Sequence, residues 1–203
     1  MAFCDWLIAH GSSCLELFGV VLGIITVYLS TRENIWSWPT ALLNAGAFAV
    51  VFFRQGLYSD AGLQIIYFVL SVYGWYEWLY GGRGHTELHV SRTPARQWPV
   101  LIVIGTAGWL ILATITSRLP GAAIPYADAA LVSSSLIAQY MLTKKLIENW
   151  LLWIVINVFY VGMLIFKGLR LTAFNYAVYF VLAVMGYVAW RRSEREQLAS
   201  VPA

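Results

Sequence analysis

The sequence predicts an all-α integral membrane protein whose seven transmembrane helices are arranged as three, one and three. Three observations carry that prediction. The 203 residues are 60% hydrophobic and 11% charged, with a mean hydropathy of +0.69, a composition that excludes an ordinary soluble domain. Seven apolar stretches approach the roughly 20 residues needed to cross a bilayer core about 30 Å thick. Residues 16–79 and 128–191 repeat one another at a single ungapped offset of 112.

The expected spans follow in order. The first, 15–30, comes after an external N-terminal segment, 1–14, which has neither a basic n-region nor a small-residue cleavage site and so does not read as a removable signal peptide. The second, 38–54, opens on Trp38-Pro39, and proline suits a first helical turn because its missing N–H would be unpaired there anyway. The third, 60–80, completes a first three-helix repeat over 15–80. A linker over 81–97 carries Gly81, Gly82, Gly84 and several charges, and a connecting helix is expected over 98–117. Spans at 126–143, 148–167 and 172–190 form the second repeat, 126–191, and a basic tail fills 192–203. The runs lack the ten-residue alternation of an outer-membrane barrel, so helices are expected throughout.

About one position in four is identical between the repeats. Tyr28 falls on Tyr140, Thr31 on Thr143, Trp38 on Trp150, Gly56-Leu57 on Gly168-Leu169, Tyr67 to Leu70 on Tyr179 to Leu182, Gly74 on Gly186 and Trp78 on Trp190. A unit this long is no solenoid repeat, but it suits a duplicated helix bundle of the kind that builds transporters. Each copy has three helices and would be followed by an inverted copy, but the unmatched helix 98–117 restores the direction. Parallel repeats about an axis along the membrane normal are the expected result. Such repeats present equivalent faces to a central path.

Lys and Arg set the orientation. Arg54, Arg118, Lys167 and Arg170 mark one side, and Arg32, Arg83, Arg92, Arg96, Lys144, Lys145, Arg191, Arg192 and Arg195 the other. Nine against four puts the C-terminus in the cytoplasm and, with seven spans, the N-terminus outside. The basic tail is a topological anchor, and no nucleic-acid partner is expected. Cys4 and Cys14 read as small apolar residues before a disulfide, and His10, His85 and His89 lack partners at metal-ligand spacing, so neither metal nor cofactor is expected.

Polar groups at membrane depth cost of order 2–3 kcal/mol each on insertion scales and face a bundle interior or a cavity. Glu16, Asn44, Gln64, Asp128, Gln139, Asn157 and Asn175 are of this kind, with Asp60 near an interface. Asn44 and Asn157 follow the matched Trp38 and Trp150 by six and seven residues. Such amides also serve as interhelical glue, and Gly74 and Gly186 as close helix contacts. Ser133-Ser134-Ser135 suits close packing better than catalysis, and no nucleophile, base and orienting group share a depth, so an enzyme is not expected.

Trp38-Pro39 leading to Asn44, Leu57-Tyr58-Ser59-Asp60 followed by Gln64, Gly74-Trp75-Tyr76 with Trp78, and Glu148-Asn149-Trp150-Leu151-Leu152-Trp153 together resemble the PnuC family of vitamin transporters over residues 15–192. The resemblance implies a full-length relative of the SWEET sugar-carrier fold in the bacterial cytoplasmic membrane. It implies transport of nicotinamide riboside by facilitated diffusion, trapping of the cargo by a cytoplasmic riboside kinase, and a homotrimer. The ligand's chemistry suits the residues. Its cationic pyridinium is attracted to aromatic faces by about 0.5–2 kcal/mol, a role open to Trp38, Trp150, Trp153, Tyr67, Tyr160 and Tyr179. Its carboxamide needs a paired donor and acceptor, for which Gln64 and Asn44 are favoured, with Asn157 beside them. Glu148, Asn149 and Asp128 are candidates for the ribose hydroxyls. A phosphorylated ligand would call for Arg or Lys within the spans, and few are there. Thiamine or another flat cationic vitamin is the alternative cargo, and a seven-helix ligand receptor the more distant reading. A retinal protein is excluded, since Lys144, Lys145 and Lys167 all sit at loop edges.

Overall fold

Residues 14–54, 56, 58–82, 84–118, 125–166 and 170–199 are described by the structure, a computed structural model. Among them stand seven helices: α1 (Cys14–Thr31), α2 (Ser37–Arg54), α3 (Tyr58–Tyr80), α4 (Trp98–Thr116), α5 (Pro125–Thr143), α6 (Asn149–Phe166) and α7 (Arg170–Ala199), with a 3-10 turn at Ala95–Gln97. The expected spans agree with these to within a few residues, except that α7 runs nine residues past Trp190. The apolar run ends there but the helix does not. Its extension is built of helix-forming Arg, Glu and Gln, and Arg192 donates from Nε to Glu196 Oε1 at 2.8 Å across one turn. Cys4, His10, Leu57, Arg83, Lys167, Gly168 and Leu169 lie outside the described residues, as do the side chains of Cys14, Glu16, Tyr58 and Ser59.

By length and apolarity alone, the helices over Ala95–Thr116, Asn149–Phe166 and Thr172–Ala199 can cross a membrane, and a shorter apolar stretch covers Leu17–Thr31. In α4 only Leu101 and Ala113 are buried, while Val100, Ile102, Val103, Ile104, Leu110, Ile111 and Ile115 are exposed. A helix apolar all round has no water-facing side, which fits a lipid surround.

The chain divides into two compact units, Met1–Leu88 and His89–Ala203. In the first, Thr26 Oγ1 on α1 donates to Thr40 Oγ1 on α2 at 2.9 Å. In the second, Ser133 Oγ on α5 donates to the Gly105 carbonyl on α4 at 2.7 Å, and Trp109 Nε1 donates to the Tyr126 carbonyl at 2.9 Å. Ser133 thus serves helix packing, as its setting among small residues suggests.

The repeat survives as matched local geometry. Thr31 and Thr143 each donate from Oγ1 to a carbonyl three residues back, Tyr28 and Tyr140, both at 2.7 Å. The chain then turns through Glu33 and Lys145, which have φ of 53° and 48°. Asn34 and Leu146 next donate backbone N–H groups to Leu29 and Met141, both at 3.0 Å. This tight left-handed turn delivers Trp38 and Trp150 to the starts of α2 and α6.

The two turns differ in what covers them. Against the second, Ser91 donates its N–H to the Lys145 carbonyl at 3.0 Å and accepts from the Ile147 N–H at 2.9 Å. Arg92 pairs with Glu194 on the α7 extension through Nε to Oε1 at 2.7 Å and Nη2 to Oε2 at 3.1 Å. That guanidinium holds the Glu194 carboxyl below the usual carboxylate range. The C-terminal part of the linker is therefore a strap bound to the second unit.

Candidate functional site

Each repeat has a seam between its second and third helices, α2 and α3 in the first unit and α6 and α7 in the second, and each seam is closed at one end by tryptophan. In the first unit Trp38 meets Trp78 edge to face with ring centroids 5.2 Å apart, and in the second Trp150 meets Trp190 at 5.4 Å, both with an interplanar angle of 89°. Gly74 lies under the Trp38 indole and Gly186 under Trp150, so close that a β-carbon on either would overlap the ring. Trp38 and Trp150 are each 2% exposed. Their Nε1 atoms are buried without a hydrogen-bond partner among the described residues, as are Ser37 Oγ and Asn149 Oδ1 at another matched pair of positions. An unpaired buried polar group costs about 1–3 kcal/mol, so its appearance at equivalent places in both units marks a conserved need of the repeat rather than a local flaw.

The opposite part of the second seam is where aromatic and amide chemistry collects. Tyr160 on α6 packs against Tyr176 on α7 with centroids 4.6 Å apart and planes at 33°, and Tyr176 meets Tyr179 edge to face at 5.9 Å. All three are half-buried. Asn157, 3% exposed, is three residues before Tyr160 on α6, and half-buried Trp153 is one turn before that. Asn175 is one turn before Tyr179 on α7. Its Oδ1 is buried and has no partner among the described residues. These side chains offer π faces, hydroxyls and amides, which suits binding a flat polar ligand. Over residues 149–166 of α6 and 171–190 of α7 the sequence places no Lys or Arg.

The sequence-derived candidates thus fall into three settings. Tyr160 and Tyr179 come together through Tyr176, with Asn157 and Trp153 on the same helix as Tyr160. Gln64 and Tyr67 are half-buried on α3 of the first unit, and Asp128 is half-buried in the first turn of α5, where a carboxylate complements the helix dipole. The remaining five have structural partners. Trp38 and Trp150 fill the glycine nests, and Asn44 Nδ2 donates to the Gly19 carbonyl at 2.6 Å, tying α2 to α1. Asn149 Nδ2 donates to the Leu146 carbonyl at 2.6 Å, and Glu148 Oε2 accepts from Thr93 N at 2.9 Å and Thr93 Oγ1 at 2.8 Å.

Tyr176 is the residue sequence reasoning missed. The signal was there, since the offset of 112 carries Gln64, already a candidate, onto Tyr176. It also carries Phe48 onto Tyr160, so the repeat presents Phe48, Gln64 and Tyr67 in one copy and three tyrosines in the other. Among the described residues no group of three or more His, Cys, Asp or Glu is placed to hold a metal ion.

Residues 13–192 match the family model described as nicotinamide mononucleotide transporter. The chain is 27% identical to the nicotinamide riboside transporter PnuC of Escherichia coli (strain K12), over 91% of this chain and 88% of the relative. It is 26% identical to the riboflavin/roseoflavin transporter RibM of Streptomyces davaonensis, over 93% of this chain and 91% of the relative. A crystal structure of the vitamin B3 transporter PnuC superposes with a TM-score of 0.72 at 23% identity, covering 95% of this chain and 86% of that one, which establishes the shared fold.

Proposed function

Because the chain belongs to the nicotinamide mononucleotide transporter family, an integral membrane transporter family, we propose that it carries nicotinamide riboside across the bacterial cytoplasmic membrane. The family model is described by the phosphorylated nucleotide and the E. coli relative by the riboside, and the residues favour the riboside. The observation that carries this choice is the cluster Tyr160, Tyr176 and Tyr179, with Asn157 and Asn175 nearby along α6 and α7 and no Lys or Arg over residues 149–166 and 171–190. A 5′-phosphate would have to shed its water with no guanidinium or ammonium to replace it. A pyridinium cation gains from the aromatic faces and the carboxamide from the amides.

In this reading Trp153, Asn157, Tyr160 and Tyr179 contact the cargo directly, and Gln64 and Tyr67 are the corresponding ligand-facing residues of the first unit. Asp128 serves the ribose. Trp38, Asn44, Glu148, Asn149 and Trp150 hold the helices that carry these groups. Transport is facilitated diffusion, made one-way by a cytoplasmic riboside kinase. The N-terminus lies outside, the C-terminus in the cytoplasm, and the carrier works as a homotrimer.

Riboflavin is the second reading, supported by the similarity to RibM, and its neutral ring system would use the same stacking surface without the cation's attraction. Calorimetric titration of the purified protein with nicotinamide riboside, its 5′-phosphate, riboflavin and thiamine separates these readings. Binding of the riboside with exclusion of its phosphate is expected. Preference for riboflavin or thiamine would keep the transporter and overturn its cargo.

A further inference from the structure

We infer that Asn175 is a specificity-determining residue whose Oδ1 accepts a hydrogen bond from the amide N–H of the cargo's carboxamide, so that the carrier takes the carboxamide form and rejects the carboxylic acid form. This rests on the riboside reading above. Three observations carry it. The oxygen is buried and no described residue donates to it. Asn175 stands one helical turn before Tyr179 on the same helix, and its side chain is half-buried. Tyr179 is in turn the edge-to-face partner of Tyr176, which packs on Tyr160, so the free acceptor adjoins the aromatic surface suited to the pyridinium.

The chemistry discriminates in one direction. A carboxamide presents two N–H donors, one of which satisfies the waiting oxygen. A carboxylate presents only acceptors at neutral pH, leaving Oδ1 unpaired and facing like partial charge. Sites built around a buried hydrogen-bonding group reject ligands that lack its complement far more strongly than apolar pockets reject a change of size. The matched residue in the first unit is Leu63, so this acceptor belongs to the second copy alone.

The test is calorimetric titration of the full-length protein, and of Asn175→Leu and Asn175→Asp, with nicotinamide riboside and nicotinic acid riboside. The wild type should prefer the carboxamide by about tenfold or more. In Asn175→Leu the carboxamide should weaken until the preference falls below about threefold. In Asn175→Asp, which keeps an acceptor at the same place, the preference should persist or widen. An unchanged ratio in Asn175→Leu overturns the inference, and if that variant does not fold, a lost preference in Asn175→Asp overturns it instead. Wild-type protein that binds riboflavin or thiamine but neither riboside removes the underlying reading, an outcome distinct from a change in the ratio.

Discussion

A single methyl group at Gly186 tests the tryptophan seam. In Gly186→Ala the new β-carbon would stand 2.5 Å from Trp150 Cε2 and 2.6 Å from Cδ2, about 1 Å inside the 3.5–4.0 Å separation of well-packed carbon atoms. The ring has nowhere to withdraw, because Trp150 is 2% exposed and its partner Trp190 is 0% exposed. Overpacking of this kind costs typically 1–3 kcal/mol, and the gain of about 1 kcal/mol from replacing glycine within a helix offsets part of it. Taking the upper part of the range, the net loss is about 1–2 kcal/mol, or roughly 2–8 °C in unfolding midpoint for a chain of this size. Scanning fluorimetry of the detergent-solubilised protein reads that shift directly. Trp150→Phe introduced with Gly186→Ala should recover part of the loss, because the smaller ring vacates the contact and the two changes are coupled. A midpoint unchanged or raised in Gly186→Ala alone would refute the argument that the ring is immovable.

Asn44→Ala should lower the midpoint through loss of its bond to the Gly19 carbonyl, by about 1 kcal/mol, whereas Gln64→Ala should leave the midpoint intact and abolish riboside binding in calorimetry. Glu194 has a depressed folded-state pKa, so its pairing with Arg92 contributes stability above the ordinary carboxylate value of 4.5 that is lost as pH falls through the folded value. The midpoint of Arg92→Ala should therefore fall less steeply than that of the wild type between about pH 5 and pH 3, measured by thermal scans across that window. Tyr176→Leu should weaken riboside binding by about 2- to 30-fold, the equivalent of 0.5–2 kcal/mol of cation–π attraction, with little effect on a neutral flat ligand titrated in parallel.

Most of the fold could be read because a membrane helix announces itself by a run of apolar residues, and the duplication gave the boundaries of every helix but α4 a second witness. Trp38 and Trp150 marked the same helix start twice, and Thr31 and Thr143 the same helix end. Hydropathy misjudged the end of α7, since Arg191 to Ala199 is polar but has the local pairs that keep a helix wound in water. The binding face was harder. An amide or indole at membrane depth looks the same in sequence whether it bonds a neighbouring helix or a ligand. Asn44 and Asn149 proved to donate to backbone carbonyls, while Asn175, whose oxygen like that of Asn149 has no partner among the described residues, stands one turn before Tyr179 in the tyrosine cluster. That difference depends on a few ångströms and on side-chain direction, which spacing along one chain does not encode. Glu148 was unreadable for another reason, because its partner Thr93 is 55 positions away in a linker with no periodicity to place it.

The tryptophan seams bear on how such a chain is made. Trp38, Gly74 and Trp78 lie within 41 consecutive residues, and Trp150, Gly186 and Trp190 within the same interval. Each unit therefore carries its own fastening and can close it without reference to the other. Once Trp78 has left the ribosome, the first unit possesses every residue its seam requires, before α4 has emerged. Sequential insertion into a bilayer exposes each new helix to premature partners, and a contact completed locally shortens that exposure. The duplicated tryptophans and glycines thus let the protein be assembled as two self-closing instalments, with the order of synthesis serving as the order of folding.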